Sequence, residues 1–144
     1  MSDSRPITAI CADLQQLLTK PLEDSDAVDE IAEEVADHDE GIKAVGLLIT
    51  LLEKNEDVDW GSPGTVVHAV EKFFKQGYEP LLLESVVRAP TSHTLWMVNR
   101  IVNGVAKDQR EQFLSVLRNA ATREDVSEEV REAAKNFLEY QAKE

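Results

Sequence analysis

The sequence IKAVGLLITLLEK, residues 42–54, decides the fold class. Its apolar residues recur three and four positions apart, at Ile42, Val45, Leu48, Ile49 and Leu52. Because an α-helix has 3.6 residues per turn, this spacing places them on one helical face. Such a face is stable only when other elements cover it. The segment therefore predicts a core helix of an α-helical protein.

The same helical period recurs on both sides of this segment, whereas alternation with period two never extends past three or four residues. Helix caps and helix breakers separate the periodic stretches. The predicted boundaries are Pro21, Ser25 or Asp26, Gly41, Lys54-Asn55, Ser62-Pro63, Gly77, Glu79-Pro80, Arg88-Ala89-Pro90, Thr91, Asn103-Gly104, Asp108 and Ser127. They predict a single all-α domain over residues 1–144. About eight helices would form antiparallel hairpins, in a compact bundle or a short HEAT-like solenoid.

Length and cysteine content predict an intracellular protein that is stable without disulfide bonds. A chain of 144 residues can bury a core of its own, and Cys11 has no second cysteine with which to form a disulfide. The first 20 residues show no signal-peptide pattern, and no apolar run approaches the ~20 residues of a membrane span. We expect a cytoplasmic protein with no membrane partner.

The net charge of −13 is concentrated in one part of the chain. Residues 23–59 contain 14 acids and only two bases, Lys43 and Lys54, a net of −12; the remaining 14 acids and 13 bases give −1. Such a patch repels nucleic acid and anionic lipid and attracts a basic partner. The alternative is a solvated surface that keeps the protein soluble.

We predict that this acidic patch binds a protein partner. Its predicted members are Asp26, Asp29, Glu30, Glu33, Glu34, Asp37, Asp39, Glu40, Glu56, Asp57 and Asp59. His38 lies among these acids at a predicted helix end, where neighbouring carboxylates favour its protonated form.

A second candidate surface lies around the sixth predicted helix. His93, Trp96, Met97 and Arg100 are spaced i, i+3, i+4 and i+7, so they share one face. Tryptophan and arginine are favoured at binding hot spots, which indicates a groove. The alternative is that the tryptophan packs in the core. The predicted groove residues are Trp60, His68, Arg88, His93, Trp96 and Arg100.

Enzyme patterns are nearly absent. Three scattered histidines and one cysteine give no zinc-ligand spacing, and no glycine-rich phosphate loop or nucleophile elbow is present. One carboxylate pattern remains, Glu30-x-x-Glu33 followed by Glu53-x-x-Glu56. Paired carboxylates on adjacent helices can hold Mg²⁺ for phosphate chemistry. The pattern is similar to that of the all-alpha nucleotide pyrophosphatases, which keeps this enzyme as a minor alternative.

Two motifs carry a family resemblance: DVDWGSPGTVVH at residues 57–68 and R-x-P-T-x-H-T-x-W-M-x-N-R at residues 88–100. They resemble a mostly uncharacterised bacterial family associated with immunity proteins of polymorphic-toxin and contact-dependent growth inhibition systems. The resemblance implies a protein that binds one cognate toxin domain and blocks it without catalysis.

These observations order the expected functions. The first is a non-enzymatic, toxin-neutralising immunity protein with no cofactor, whose acidic patch suits a basic toxin because complementary charge speeds association. The second is a HEAT-like interaction scaffold that uses the groove. The third is the Mg²⁺-dependent pyrophosphatase. The sequence leaves the oligomeric state open.

Overall fold

The structure, a computed structural model, describes residues 5–61, 64–73 and 76–142. Its helices are α1 (Ile7–Leu17), α2 (Asp26–Asp37), α3 (Ile42–Lys54), α4 (Thr65–Glu71), α5 (Tyr78–Arg88), α6 (Ser92–Gly104), α7 (Lys107–Thr122) and α8 (Glu128–Ala142). No strand occurs in these residues, so the predicted all-α class with about eight helices is confirmed. Within the same ranges, no helix combines the length and apolar character needed to cross a membrane.

Contacts divide the chain into two compact units, Met1–Leu81 and Leu82–Glu144, and the division falls within α5. In the first unit α1 packs on α2 and α3, and α2 packs on α3 and α4. In the second unit α6, α7 and α8 each contact the other two. The single domain over residues 1–144 stays a prediction.

The core of the first unit is built around α3, as the apolar pattern of residues 42–54 predicts. Six side chains of α3 are buried: Ala44, Val45, Leu48, Ile49, Leu51 and Leu52. Helix α2 contributes Val28, Ala32 and Val35, and α4 contributes Val66, Val67, Ala69 and Val70. Phe73 is also buried, whereas Phe74 and the predicted Ser62-Pro63 cap of α4 lie outside the described residues.

Gly41 separates α2 from α3 for a steric reason. Its φ of −54° is ordinary helical backbone, so no positive φ is involved. A Cβ at this position would collide with the carbonyl oxygen of Val35 and lie 2.6 Å from Cζ of Phe73. The close approach of α2 and the Phe73 ring therefore requires glycine here.

Two predicted helix caps, at Thr91 and Ser25, have different outcomes in the structure. Thr91 caps α6 as predicted: its Oγ1 accepts from the amide of Thr94 at 3.1 Å, and Thr94 Oγ1 accepts from the amide of Thr91 at 3.0 Å. Ser25 occupies the N-cap of α2 but makes no capping bond, because its hydroxyl instead donates to Asp29 at 2.8 Å.

Candidate functional site

One face of α2 carries four exposed carboxylates that have no place in the core. They are Asp26, Glu30, Glu33 and Asp37, spaced i, i+4, i+7 and i+11. This spacing keeps them in one line along the helix, on the side opposite the buried residues Val28, Ala32 and Val35. We call these four residues the acidic stripe. All four side chains are exposed to solvent.

Two other acids of the predicted patch hold the structure together. Glu34 is half-buried and accepts two hydrogen bonds from Arg5, from Nε and Nη2, each at 2.9 Å. Arg5 also pairs with Asp13, and these hydrogen bonds, first that of Glu34 and then that of Asp13, raise the pKa of its guanidinium. Asp29 accepts from Ser25, while its Oδ1 is buried without a hydrogen-bond partner among the described residues. The side chains of Glu34 and Asp29 therefore already make hydrogen bonds within the chain.

The turn between α2 and α3 contacts both ring nitrogens of His38. Its Nδ1 lies 2.9 Å from the backbone nitrogen of Glu40. Its Nε2 lies 2.9 Å from the carbonyl oxygen of Arg5, and the ring is half-buried. The protonated ring expected from its acidic neighbours stays a prediction. Asp39 is exposed beside it.

Glu40 differs from Glu30 and Glu33 of the stripe because it is paired with a lysine of the following helix. Lys43 forms an ion pair with the Glu40 carboxylate across one turn. The hydrogen bond from Lys43, followed by the attraction of its charge, lowers the pKa of Glu40, and the same contact raises the pKa of Lys43. Glu40 therefore contributes little uncompensated charge.

The last three acids of the patch, Glu56, Asp57 and Asp59, are exposed on the segment after α3. Asp59 accepts the amide hydrogen of Gly61 at 3.0 Å, which shapes the turn. For the pyrophosphatase alternative, Glu30, Glu33 and Glu56 are exposed and Glu53 is half-buried. In the described part of the chain, no three His, Cys, Asp or Glu side chains converge to hold a metal ion.

A groove runs between α2 and α4 beside the acidic stripe. It has a volume of about 390 Å³, its walls are mainly apolar, and it is lined by Glu33, Ala36, Thr65, His68, Ala69 and Lys72. We call it the α2–α4 groove. Glu33 and His68 both line it. The sequence pattern predicted them on two different surfaces, Glu33 in the acidic patch and His68 among the groove residues near the sixth helix.

Among the described residues, polar contacts at the edge of the α2–α4 groove come from His68 of α4 and from Lys72, which directly follows α4. Lys72 Nζ donates to the carbonyl oxygen of Ala36 at 3.2 Å and lies 3.7 Å from Asp37 Oδ1. His68 is exposed, and its Nδ1 lies 4.0 Å from Glu71 Oε1. Lys72 is a residue of this groove that the sequence pattern does not predict, because nothing local shows that it reaches α2.

Trp60, predicted as a groove residue, is instead part of the core. It is 2% exposed, and its Nε1 donates to the carbonyl oxygen of Asn55 at 3.0 Å. Asn55 in turn accepts the amide hydrogen of Leu22 and donates to the carbonyl oxygen of Leu51, each at 3.0 Å. A partner cannot reach the Trp60 ring. The indole and Asn55 fasten the segment after α3 to α3 itself and to the α1–α2 connection.

The glycines of the first motif serve the same local structure. Gly61 and Gly64 have φ of 97° and 92°, in the region that favours glycine. A Cβ at Gly64 would also collide with the carbonyl group of Trp60. Gly61 and Gly64 of this motif therefore adopt backbone conformations that a residue with a side chain would strain.

The remaining groove candidates lie in the second unit. His93, Trp96 and Arg100 are half-buried on α6; the His93 and Trp96 ring centroids are 6.5 Å apart, and Cζ of Arg100 lies 5.8 Å from the Trp96 ring centroid. Met97, predicted on the same face, is fully buried instead. Arg88 is exposed at the end of α5.

Comparison with known proteins gives no relative: the chain matches no protein-family profile, no curated protein and no solved structure.

Proposed function

We propose that this chain is a non-enzymatic binding protein, a toxin-neutralising immunity protein that binds one basic toxin domain in the cytoplasm. The observation that carries the proposal is the acidic stripe. Four exposed carboxylates lie in line on the face of α2 that the core does not use. The motifs at residues 57–68 and 88–100 add the resemblance to immunity proteins.

The stripe suits a partner rich in lysine and arginine for an electrostatic reason. Glu34 and Glu40 are compensated by Arg5 and Lys43. Within the stripe Asp37 lies 3.7 Å from Lys72, whereas Asp26, Glu30 and Glu33 have no ion pair among the described residues. Uncompensated charges of one sign steer an oppositely charged molecule during diffusion and speed its association. Salt screens this attraction, because the Debye length falls to about 10 Å at 0.1 M ionic strength.

The test is a quantitative pull-down from the source cell with three versions of the chain. The first is the natural sequence. The second replaces the stripe by amides: Asp26→Asn, Glu30→Gln, Glu33→Gln and Asp37→Asn. The third is a control with the same change in net charge, made by Glu→Gln at four exposed acids of α8, namely Glu128, Glu129, Glu132 and Glu139.

We expect one basic protein to bind stoichiometrically to the natural chain and to the α8 control, and to be largely lost from the stripe variant. Measured with the purified partner, the loss is expected in the association rate and to shrink at high salt. Equal capture by all three versions would remove the stripe from the function. Capture that falls equally in both variants would reduce the stripe to a contribution to net charge.

A second candidate function rests on α6. Trp96 is half-exposed between His93 and Arg100, an arrangement typical of an interaction hot spot in a helical scaffold protein. If α6 is the binding surface, Trp96→Ala should abolish capture of the partner, while the stripe variant still binds it. Thermal unfolding of Trp96→Ala, followed by circular dichroism, should remain cooperative. A Trp96→Ala variant that loses its folded circular dichroism signal would make the tryptophan a core residue and count against the scaffold.

A further inference from the structure

We infer that the α2–α4 groove is a docking site for a basic amphipathic helix of the partner. An apolar side chain of that helix enters the groove, and lysine or arginine residues one turn away pair with Glu30 and Glu33. The inference rests on the proposed function, since it specifies how the acidic stripe is used. It also requires an apolar contact in the groove, which attraction between charges alone does not require.

Two alanines form part of the wall of the groove. Ala36 of α2 and Ala69 of α4 contribute only methyl groups, so a depression of about 390 Å³ remains between the two helices. Its wall is mainly apolar, and an apolar side chain placed there loses contact with water without leaving a polar group unpaired. A helix laid in a groove with such an anchor is a recurrent mode of peptide recognition.

Two glutamates provide negative charge at the edge of the groove. Glu33 lines the groove, and Glu30 lies one turn earlier on the same face of α2. Within the described ranges, neither side chain takes part in a hydrogen bond or an ion pair. The lysine on the opposite side, Lys72, is held by Asp37 and by a backbone carbonyl oxygen of α2. Of the charged side chains at this edge, the two glutamates are thus the ones left for an incoming cation.

Charge also decides between the possible occupants. A second copy of the chain would bring its own residues 23–59, with a net charge of −12, against the same stripe. Nucleic acid and anionic lipid are repelled for the same reason. A helical protein segment with an apolar face flanked by basic residues complements both the apolar wall of the groove and the glutamates at its edge.

Three synthetic helical peptides of about 18 residues test the inference on the full chain. The first carries leucine on one face flanked by arginine, the second has serine in place of leucine, and the third has glutamate in place of arginine. Binding is followed by amide chemical shifts of the ¹⁵N-labelled chain. We expect the leucine–arginine peptide to bind more tightly than the other two and to shift the amides of Ala36 and Ala69 most.

Variants of the chain then separate the groove from the stripe. Ala36→Met fills the groove from α2 and Thr65→Leu fills it from α4, so that one of them can be used if the other disturbs folding. We expect each to weaken the leucine–arginine peptide about tenfold, since an anchor side chain loses its burial. Ala133→Met, at a half-buried alanine of α8, is the matched control and should leave the affinity unchanged.

Several outcomes would overturn the inference. These are equal binding of the serine–arginine peptide, equal binding of the leucine–glutamate peptide, no binding of any peptide, and unchanged affinity in both groove-filling variants. Equal binding of the serine–arginine peptide would still leave the proposed function standing, because the stripe would then act through charge alone. The proposed function fails in a different experiment, when the natural partner binds the stripe variant as well as the natural chain.

Discussion

Replacing Asn55 by alanine tests whether one side chain fastens three segments of the first unit. Asn55 is 9% exposed, and its side chain makes two hydrogen bonds of 3.0 Å, one from the amide of Leu22 and one to the carbonyl oxygen of Leu51. Alanine removes both bonds and leaves both backbone groups without their partner. The backbone carbonyl oxygen of residue 55 can still accept the hydrogen bond from the Trp60 indole. Only the two hydrogen bonds of the asparagine side chain are lost.

The expected cost follows from these two bonds. A lost hydrogen bond costs about 1–2 kcal/mol when it leaves a buried partner unpaired, so Asn55→Ala should lower the free energy of unfolding by about 2–4 kcal/mol. Unfolding entropy of roughly 2 cal/mol/K per residue makes each kcal/mol about 3 °C in a chain of this length. We therefore expect the melting temperature to fall by about 7–13 °C.

The assay is thermal unfolding followed by circular dichroism at 222 nm, with Asn136→Ala as control. Asn136 is exposed in α8, where alanine is the better helix former, so the control should melt at or slightly above the natural temperature. A melting temperature of Asn55→Ala within about 2 °C of the natural chain would refute the reasoning. It would mean that water or a shifted backbone replaces both hydrogen bonds at no cost.

Three further predictions concern sites whose environment the structure defines. Gly41→Ala should destabilise the chain by about 1–3 kcal/mol in urea unfolding because it overpacks a filled site, whereas Gly46→Ala, where a Cβ has room, should stabilise it by about 0.5–1 kcal/mol; the opposite order would contradict the steric role of Gly41. Lys43→Met should raise the pKa of the Glu40 carboxyl, measured by NMR titration, because the hydrogen bond that lowers it is lost. A pKa lowered by folding stabilises the native state at neutral pH and ceases to do so as the pH falls through it, so Lys43→Met should flatten the acid limb of the stability curve, and an unchanged Glu40 titration would count against the ion pair. Thr91→Ala should cost about 1 kcal/mol through loss of the cap of α6, and no change in the unfolding midpoint would show that the cap is dispensable.

Local signals in the sequence were enough to place the helices. Pro21, Gly77 and Pro90 interrupt the 3.6-residue period, and each falls between helices of the structure. The position of Thr91 before an apolar run predicts a cap, and the structure contains it. These features act over a few residues, so a single sequence is sufficient to read them.

The partners of individual side chains depend on contacts between distant parts of the chain, and the sequence pattern did not provide them. Arg5 reaches Glu34 and Lys72 reaches the end of α2, and neither pairing has a local signature. Trp60 lies outside any periodic segment, so the sequence pattern does not show that its ring is buried and that it donates to the carbonyl oxygen of Asn55. The acidic patch is consequently uniform in sequence. In the structure some of its acids pair with a base, namely Glu34, Asp37 and Glu40, whereas Asp26, Glu30 and Glu33 are exposed and have no ion pair among the described residues.

The different surroundings of the two tryptophans make each of them a separate optical probe. Trp60 is enclosed and hydrogen-bonded, whereas Trp96 is half-exposed beside the cation of Arg100. A soluble quencher should therefore dim the emission of Trp96 first, and iodide should do so better than caesium because the neighbouring guanidinium attracts an anion. With Trp96→Phe the remaining emission should resist both quenchers until the chain unfolds. Unlabelled protein could thus report its folding through one indole and the state of its α6 surface through the other.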